Sequence, residues 1–89
     1  MNESIQSRFA FRLKEMRENR NLSQAALSKR LSVSQSTVAS WEVGTREPSL
    51  QHIENVADFF GVTVDYLFCR TDITLNVYKT DTPYIEVTP

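Results

Sequence analysis

Apolar residues recur along this chain at helical intervals for most of its length, then switch to alternation. Ile5, Phe9, Leu13 and Met16 are spaced by four, four and three, which is one stripe of a helix over residues 4–19. Ser4 stands where its hydroxyl can cap that helix, and Asn21, which tolerates a left-handed backbone, can end it. Leu22, Ala25, Leu27 and Leu31 sit at near-helical spacing around a second helix, 23–31. Val38 and Trp41, three apart, share one face of a third, 34–42. Ser23 and Ser34 each precede a segment, where a hydroxyl can accept from an unsatisfied backbone N–H. The short turn Ser32-Val33 forces these two helices to cross steeply, with Val33 plugging the corner. Gly44 ends the third helix and Thr45–Glu47 form a loop. Pro48 and Ser49 introduce a fourth helix of about residues 50–60, with the stripe Leu50, Ile53, Val56, Ala57 and Phe60, closed by Gly61. Thr63 caps a short fifth helix, 64–69, with Leu67 facing inward.

From Thr71 the period falls to two. Ile73, Leu75 and Val77 alternate with Thr74, Asn76 and Tyr78, which predicts a strand. Lys79–Pro83 reads as a turn and Tyr84–Val87 as a returning edge strand. A lone hairpin is barely stable in water, so this extension packs on the helices, pairs with another chain or stays disordered. The expectation is a mainly α fold: one five-helix domain over 1–69, with an extension over 70–89 that reads as a β-hairpin and serves dimerisation or partner binding.

Length and composition agree. Eighty-nine residues make one small domain, and only 2 glycines and 3 prolines favour a compact helical chain over a linker. The single Cys69 cannot form an internal disulfide and reads as a small buried apolar side chain. The N-terminal MNESIQSRFAFRLKEMR has no signal-peptide core and no run reaches membrane-spanning length, so a cytoplasmic protein is expected.

Charge changes the picture only when the chain is divided. The net charge is −1. Residues 1–46 carry eight basic groups (Arg8, Arg12, Lys14, Arg17, Arg20, Lys29, Arg30, Arg46) against four acidic, a net of +4. Residues 47–89 carry two basic and seven acidic groups, a net of −5. The local field governs attraction to phosphate, so the basic half can bind a polyanion while the acidic half faces away. Arg8, Arg12 and Lys14 lie off the first stripe, on a face expected to be solvated, and Phe11 lies off it too.

Candidate chemistry concentrates on the third helix. Opposite Val38 and Trp41, the segment Gln35–Ser40 presents amide and hydroxyl groups and no charge. Apolar anchors behind and short hydrogen-bonding side chains in front suit insertion into the DNA major groove. Gln35 can bond adenine at N6 and N7, Ser36, Thr37 and Ser40 can bond several bases, and a threonine methyl can touch a thymine methyl. No arginine or lysine lies between Gln35 and Glu42, so the strongest guanine contact is missing and A·T pairs are expected under the helix N-terminus. Lys29, Arg46, Arg20 and Arg12 are candidate phosphate contacts, and Gln24 is a firmer one because it opens a helix. Trp41 reads as core. His52 is a single surface histidine without the partners a metal needs, and no metal or other cofactor is expected. Catalysis finds no support: no serine sits in a glycine-flanked elbow and no phosphate-binding glycine loop occurs, so the chain is not expected to be an enzyme.

The stretch LSQAALSKRLSVSQSTVASWEVGTREPSLQHIENVADFFGVTVDYLF resembles the helix-turn-helix domain of the phage lambda and 434 repressor, Cro and Xre class. L-S-Q opens the second helix, W-E-x-G closes the third, P-S-L opens the fourth and G-V-T-V-D-Y-L lies at the fifth; the likeness covers about residues 5–68. It implies a five-helix lambda-repressor-like fold with the third helix as recognition helix. It further implies that Gln24 bonds a phosphate and buttresses that helix, and that Gln35, Ser36 and Ser40 reach base edges. Ser34 and Thr37 match positions near the DNA backbone or adjoining bases, and Thr45 and Arg46 lie in a loop that meets phosphate. Arg17 and Glu42 match a buried ion pair tying the first helix to the end of the third. Ser32 stands where the pattern carries glycine; a positive φ there costs about 1–2 kcal/mol. Ser28 replaces the usual alanine, which a hydroxyl bonding back to its own helix tolerates.

The expectation that the resemblance implies is a small bacterial or phage-encoded transcriptional regulator, a repressor binding double-stranded DNA. One recognition helix makes too few contacts for tight specific binding, so a homodimer on an inverted repeat is expected. The dimer surface would come from the fifth helix, the loop before the fourth, or the 71–89 tail. The rival is an antitoxin or adaptor whose tail grips a protein partner by strand addition.

Overall fold

A computed structural model describes residues 4–73. Among them all regular structure is helical: α1 (Ile5–Asn19), α2 (Gln24–Leu31), α3 (Gln35–Val43), α4 (Leu50–Phe60) and α5 (Val64–Leu67). The strands expected over 73–78 and 84–87 lie outside the described residues except for Ile73, which is exposed.

Each helix starts on a hydroxyl. Ser4, Ser23, Ser34, Ser49 and Thr63 hold extended backbone and accept from the N–H three residues on. That satisfies one of the donors a helix start leaves open, worth about 1 kcal/mol at each end. The exits are equally local. Asn21, Ser32, Gly44 and Gly61 all take left-handed backbone, and Ser32 does so at φ 59° as a non-glycine residue. Ser28 Oγ donates back to the Ala25 carbonyl at 2.7 Å, so the hydroxyl enters α2 without an orphaned group. α5 is shorter than the expected 64–69, because Cys69 itself turns to positive φ and ends the run.

One core joins all five helices. Phe9, Leu13 and Met16 of α1 meet Leu27 and Leu31 of α2, Val38 and Trp41 of α3, Val56, Ala57 and Phe60 of α4, and Leu67 of α5. Phe9 and Trp41 pack edge to face, with ring centroids 6.2 Å apart. Two stripe positions leave the core. Ile5 is 60% exposed and Leu50 85%, each in the first turn of its helix.

The face of α1 expected to be solvated is corrected in part: Lys14 is exposed, whereas Arg8 and Arg12 are tied into the fold. Arg12 is buried, with its guanidinium 3.8 Å from the centre of the Tyr66 ring and NH1 3.2 Å from Glu15. Burial alone would lower its pKa; the Cys69 and Tyr66 side chains outweigh that and raise it. Arg8 Nε donates to the Phe68 carbonyl at 2.9 Å. Arg20 donates to the Phe60 carbonyl at 3.0 Å, closing the end of α4. The three arginines thus clamp α1 to α4 and α5, and Arg12 is not placed to meet a phosphate. Phe11 is exposed, as its position off the stripe implied.

Candidate nucleic-acid interface

α3 is anchored from behind and open in front. Val38 and Trp41 are buried, while Gln35 and Ser36 are exposed and Thr37 and Ser40 are half-buried. The helix runs one residue past the expected end, to Val43, which is 71% exposed on the outward side. No apolar pattern marked Val43, because the signal read from the sequence was the buried face.

The N-terminus of α3 is a hydroxyl cluster. Ser34 Oγ accepts from the Thr37 N–H at 3.1 Å and lies 2.8 Å from Thr37 Oγ1 and 3.0 Å from Ser36 Oγ. Arg46 reaches back from the following loop, its NH1 3.2 Å from Thr37 Oγ1. That link brings two expected site residues together across nine positions. Thr45 is exposed, and its N–H and hydroxyl both point to the Ser40 carbonyl, at 3.0 and 3.4 Å. Lys29 is exposed in the last turn of α2, beside the Ser32 turn that leads into Ser34. A cleft of about 400 Å³ lies between α3 and the start of α4, lined by Ser34, Thr37, Trp41, Arg46, Ser49 and His52. His52 is not simply a surface residue: its ring lies 5.2 Å from the Trp41 indole and its Nδ1 3.0 Å from Ser49 Oγ.

The base of α3 is held by a buried charge pair. Arg17 Nε and NH2 meet the two Glu42 oxygens at 2.6 and 3.0 Å, and both side chains are nearly out of water. Arg17 NH1 also donates to the Leu22 carbonyl at 2.7 Å. The hydrogen bond to Glu42 raises the Arg17 pKa against the opposing effect of burial, so the guanidinium stays charged. Gln24 donates its amide to the same Glu42 carboxylate at 3.1 Å. α1, the start of α2 and the end of α3 therefore converge on one anion. Gln24 is half-buried and faces inward with its amide while its backbone lies at the helix start.

No helix among the described residues is long and apolar enough to cross a membrane, and no described group of three His, Cys, Asp or Glu is arranged to hold a metal.

Comparison with known proteins gives a consistent picture. Residues 13–67 match a helix-turn-helix family model. The chain is 34% identical over 65 residues to the HTH-type transcriptional activator BcrR of Enterococcus faecalis, covering 73% of this chain and 32% of that protein. It is 26% identical over 68 residues to the cryptic phage CTXphi transcriptional repressor RstR of Vibrio cholerae, covering 76% and 61%. Among solved structures, the hydroxypropylphosphonic acid epoxidase from S. wedmorenis aligns with TM-score 0.63 at 34% identity, over 68% of this chain and 32% of that one. The chain thus spans about a third of the activator and of the epoxidase, and about three-fifths of the phage repressor. A match over about a third of that enzyme shows a likeness of fold and does not show an enzyme function.

Proposed function

The chain belongs to the helix-turn-helix family of the Cro/C1 type, whose members here are DNA-binding transcriptional regulators, and from that premise we propose that it is a sequence-specific repressor. It binds double-stranded DNA with α3 in the major groove. The observation that carries this is the two-sided character of α3: Val38 and Trp41 are sealed in the core while Gln35 and Ser36 stand in water. Gln35, Ser36, Thr37 and Ser40 contact base edges, and Gln24, Ser34, Lys29, Thr45 and Arg46 contact the backbone. Repression needs only occupancy of the promoter, which DNA binding alone supplies.

The protein acts as a dimer on an inverted repeat, with half-sites one turn apart, about 34 Å. Leu50 and Val64, 85% and 42% exposed at the starts of α4 and α5, support a self-association surface there. The 70–89 extension is a second candidate for that role. Selection of bound sequences from a random duplex pool tests the whole reading. A two-fold symmetric site with A·T pairs under the start of α3 is expected; no enrichment over the input pool overturns it. Size measurement with and without residues 71–89 then assigns the tail: loss of self-association together with DNA binding makes it a dimer element.

A further inference from the structure

We propose that Val43 is a specificity-determining residue that reads the C5-methyl group of a thymine in the major groove. The inference rests on the reading of α3 as the helix that enters that groove. At about 100° per residue, Ser36, Ser40 and Val43 fall within an arc of about 60°, on the side opposite Val38 and Trp41. Val43 therefore lies at the middle of the outward face, not at its rim. It is 71% exposed, an apolar β-branched side chain among amides and hydroxyls.

The protein does not cover it. The groove beside it is lined by Ala10, Phe11, Lys14, Glu15 and Glu18 of α1, and Phe11 itself remains 63% exposed. The next residue, Gly44, has no side chain and turns the backbone into a left-handed exit, with open space where a Cβ would stand. On the C-terminal side the Gln6 amide donates to the Gly44 carbonyl, and Val43 nevertheless remains 71% exposed. Valine offers no donor or acceptor, and among the groups displayed in the major groove only the thymine methyl is apolar. From Ser36 to Val43 the helix rises about 10.5 Å, which is about three base pairs at 3.4 Å each, so Val43 reads a different pair from those under the helix start. Thr37 is the rival methyl donor, but it is half-buried and its hydroxyl is held by Ser34 and Arg46, about 60° beyond the edge of the arc and about 120° from Val43.

The test begins with the preferred duplex from the random pool. Each thymine in a half-site is replaced singly by deoxyuridine, which deletes one methyl and leaves the hydrogen-bonding edge unchanged. Kd is measured for the unmodified chain, Val43→Ala, Val43→Thr and Thr37→Ser. One position is expected to weaken the unmodified chain about fourfold, which is about 0.8 kcal/mol at 1.4 kcal/mol per decade. Val43→Ala becomes indifferent to that replacement, Val43→Thr keeps part of the response, and Thr37→Ser keeps all of it. Val43→Ala is exposed and improves helix propensity, so its unfolding midpoint serves as a check that the fold is intact. A preferred duplex with no uracil-sensitive thymine, or a sensitivity that survives Val43→Ala or vanishes in Thr37→Ser, overturns the inference while leaving the recognition helix in place. A pool that yields no preferred duplex overturns the recognition helix and this inference together.

Discussion

The Glu42 carboxylate accepts from Arg17 on both oxygens and from Gln24 on one, in a place nearly free of water. A pair of that kind adds little net stability when compared with an apolar replacement, because desolvation offsets attraction, yet breaking it strands a charge. Glu42→Ala should therefore destabilise the domain by about 3–5 kcal/mol, and the double variant with Arg17→Met should recover part of the loss. Urea unfolding of the two variants checks both statements. Gln35 belongs to the opposite class: it is exposed at the start of α3 and is not part of the core. Gln35→Ala should leave the unfolding midpoint unchanged, weaken operator binding by about 1–3 kcal/mol and relax preference at one or two base pairs. A repeat of the duplex selection with the variant reads that relaxation directly. The Arg17–Glu42 pairing came from family resemblance and the Gln35 position from the start of an amphipathic helix. The burial of Arg12 came from neither, since its partner Tyr66 lies 54 residues further along and no local pattern announces a stacking contact.

Helix limits were legible because their causes are local. A hydroxyl at the N-cap and a residue that tolerates left-handed backbone at the exit are properties of one or two positions, and Ser23, Ser34, Thr63, Gly44 and Gly61 all act as their chemistry requires. The outer ends of the apolar stripes were less legible. Ile5 and Leu50 continue the period of their helices but remain 60% and 85% exposed, and periodicity carries no information about how far a neighbouring element extends. Ser32 adopts the positive φ that the turn between α2 and α3 demands, at a cost glycine would avoid. Ser32→Gly should stabilise the domain by about 0.5–1 kcal/mol, the relief of strain exceeding the added freedom of the unfolded chain. A raised thermal midpoint with unchanged DNA affinity is the expected result. A lowered midpoint would mean that the serine is held by more than backbone geometry.

Over the whole molecule, the +4 charge of the N-terminal half overstates what DNA would meet. Arg12 and Arg17 are buried, and Arg8 and Arg20 donate to backbone carbonyls of α5 and α4. Of the remaining basic side chains beside α3, Lys29 and Arg46 lie toward its start and Lys14 lines the groove beside Val43 at its end. If Lys29 and Arg46 alone meet phosphate, two contacts per protomer give a dimer about four, hence a slope of log K against log salt of about −3 to −4, and Arg46→Ala should flatten it by about one unit for each protomer. Titrations over a range of potassium chloride measure both. The shallow slope places the burden of recognition on groove contacts, with little non-specific adhesion to compete. The shared carboxylate has a thermodynamic corollary. With three helices tethered to one buried anion, none can swing or unwind separately, so the domain would meet the duplex already in its final shape. Calorimetry should then yield a heat-capacity change accounted for by the contact area alone, without the excess that accompanies folding upon association.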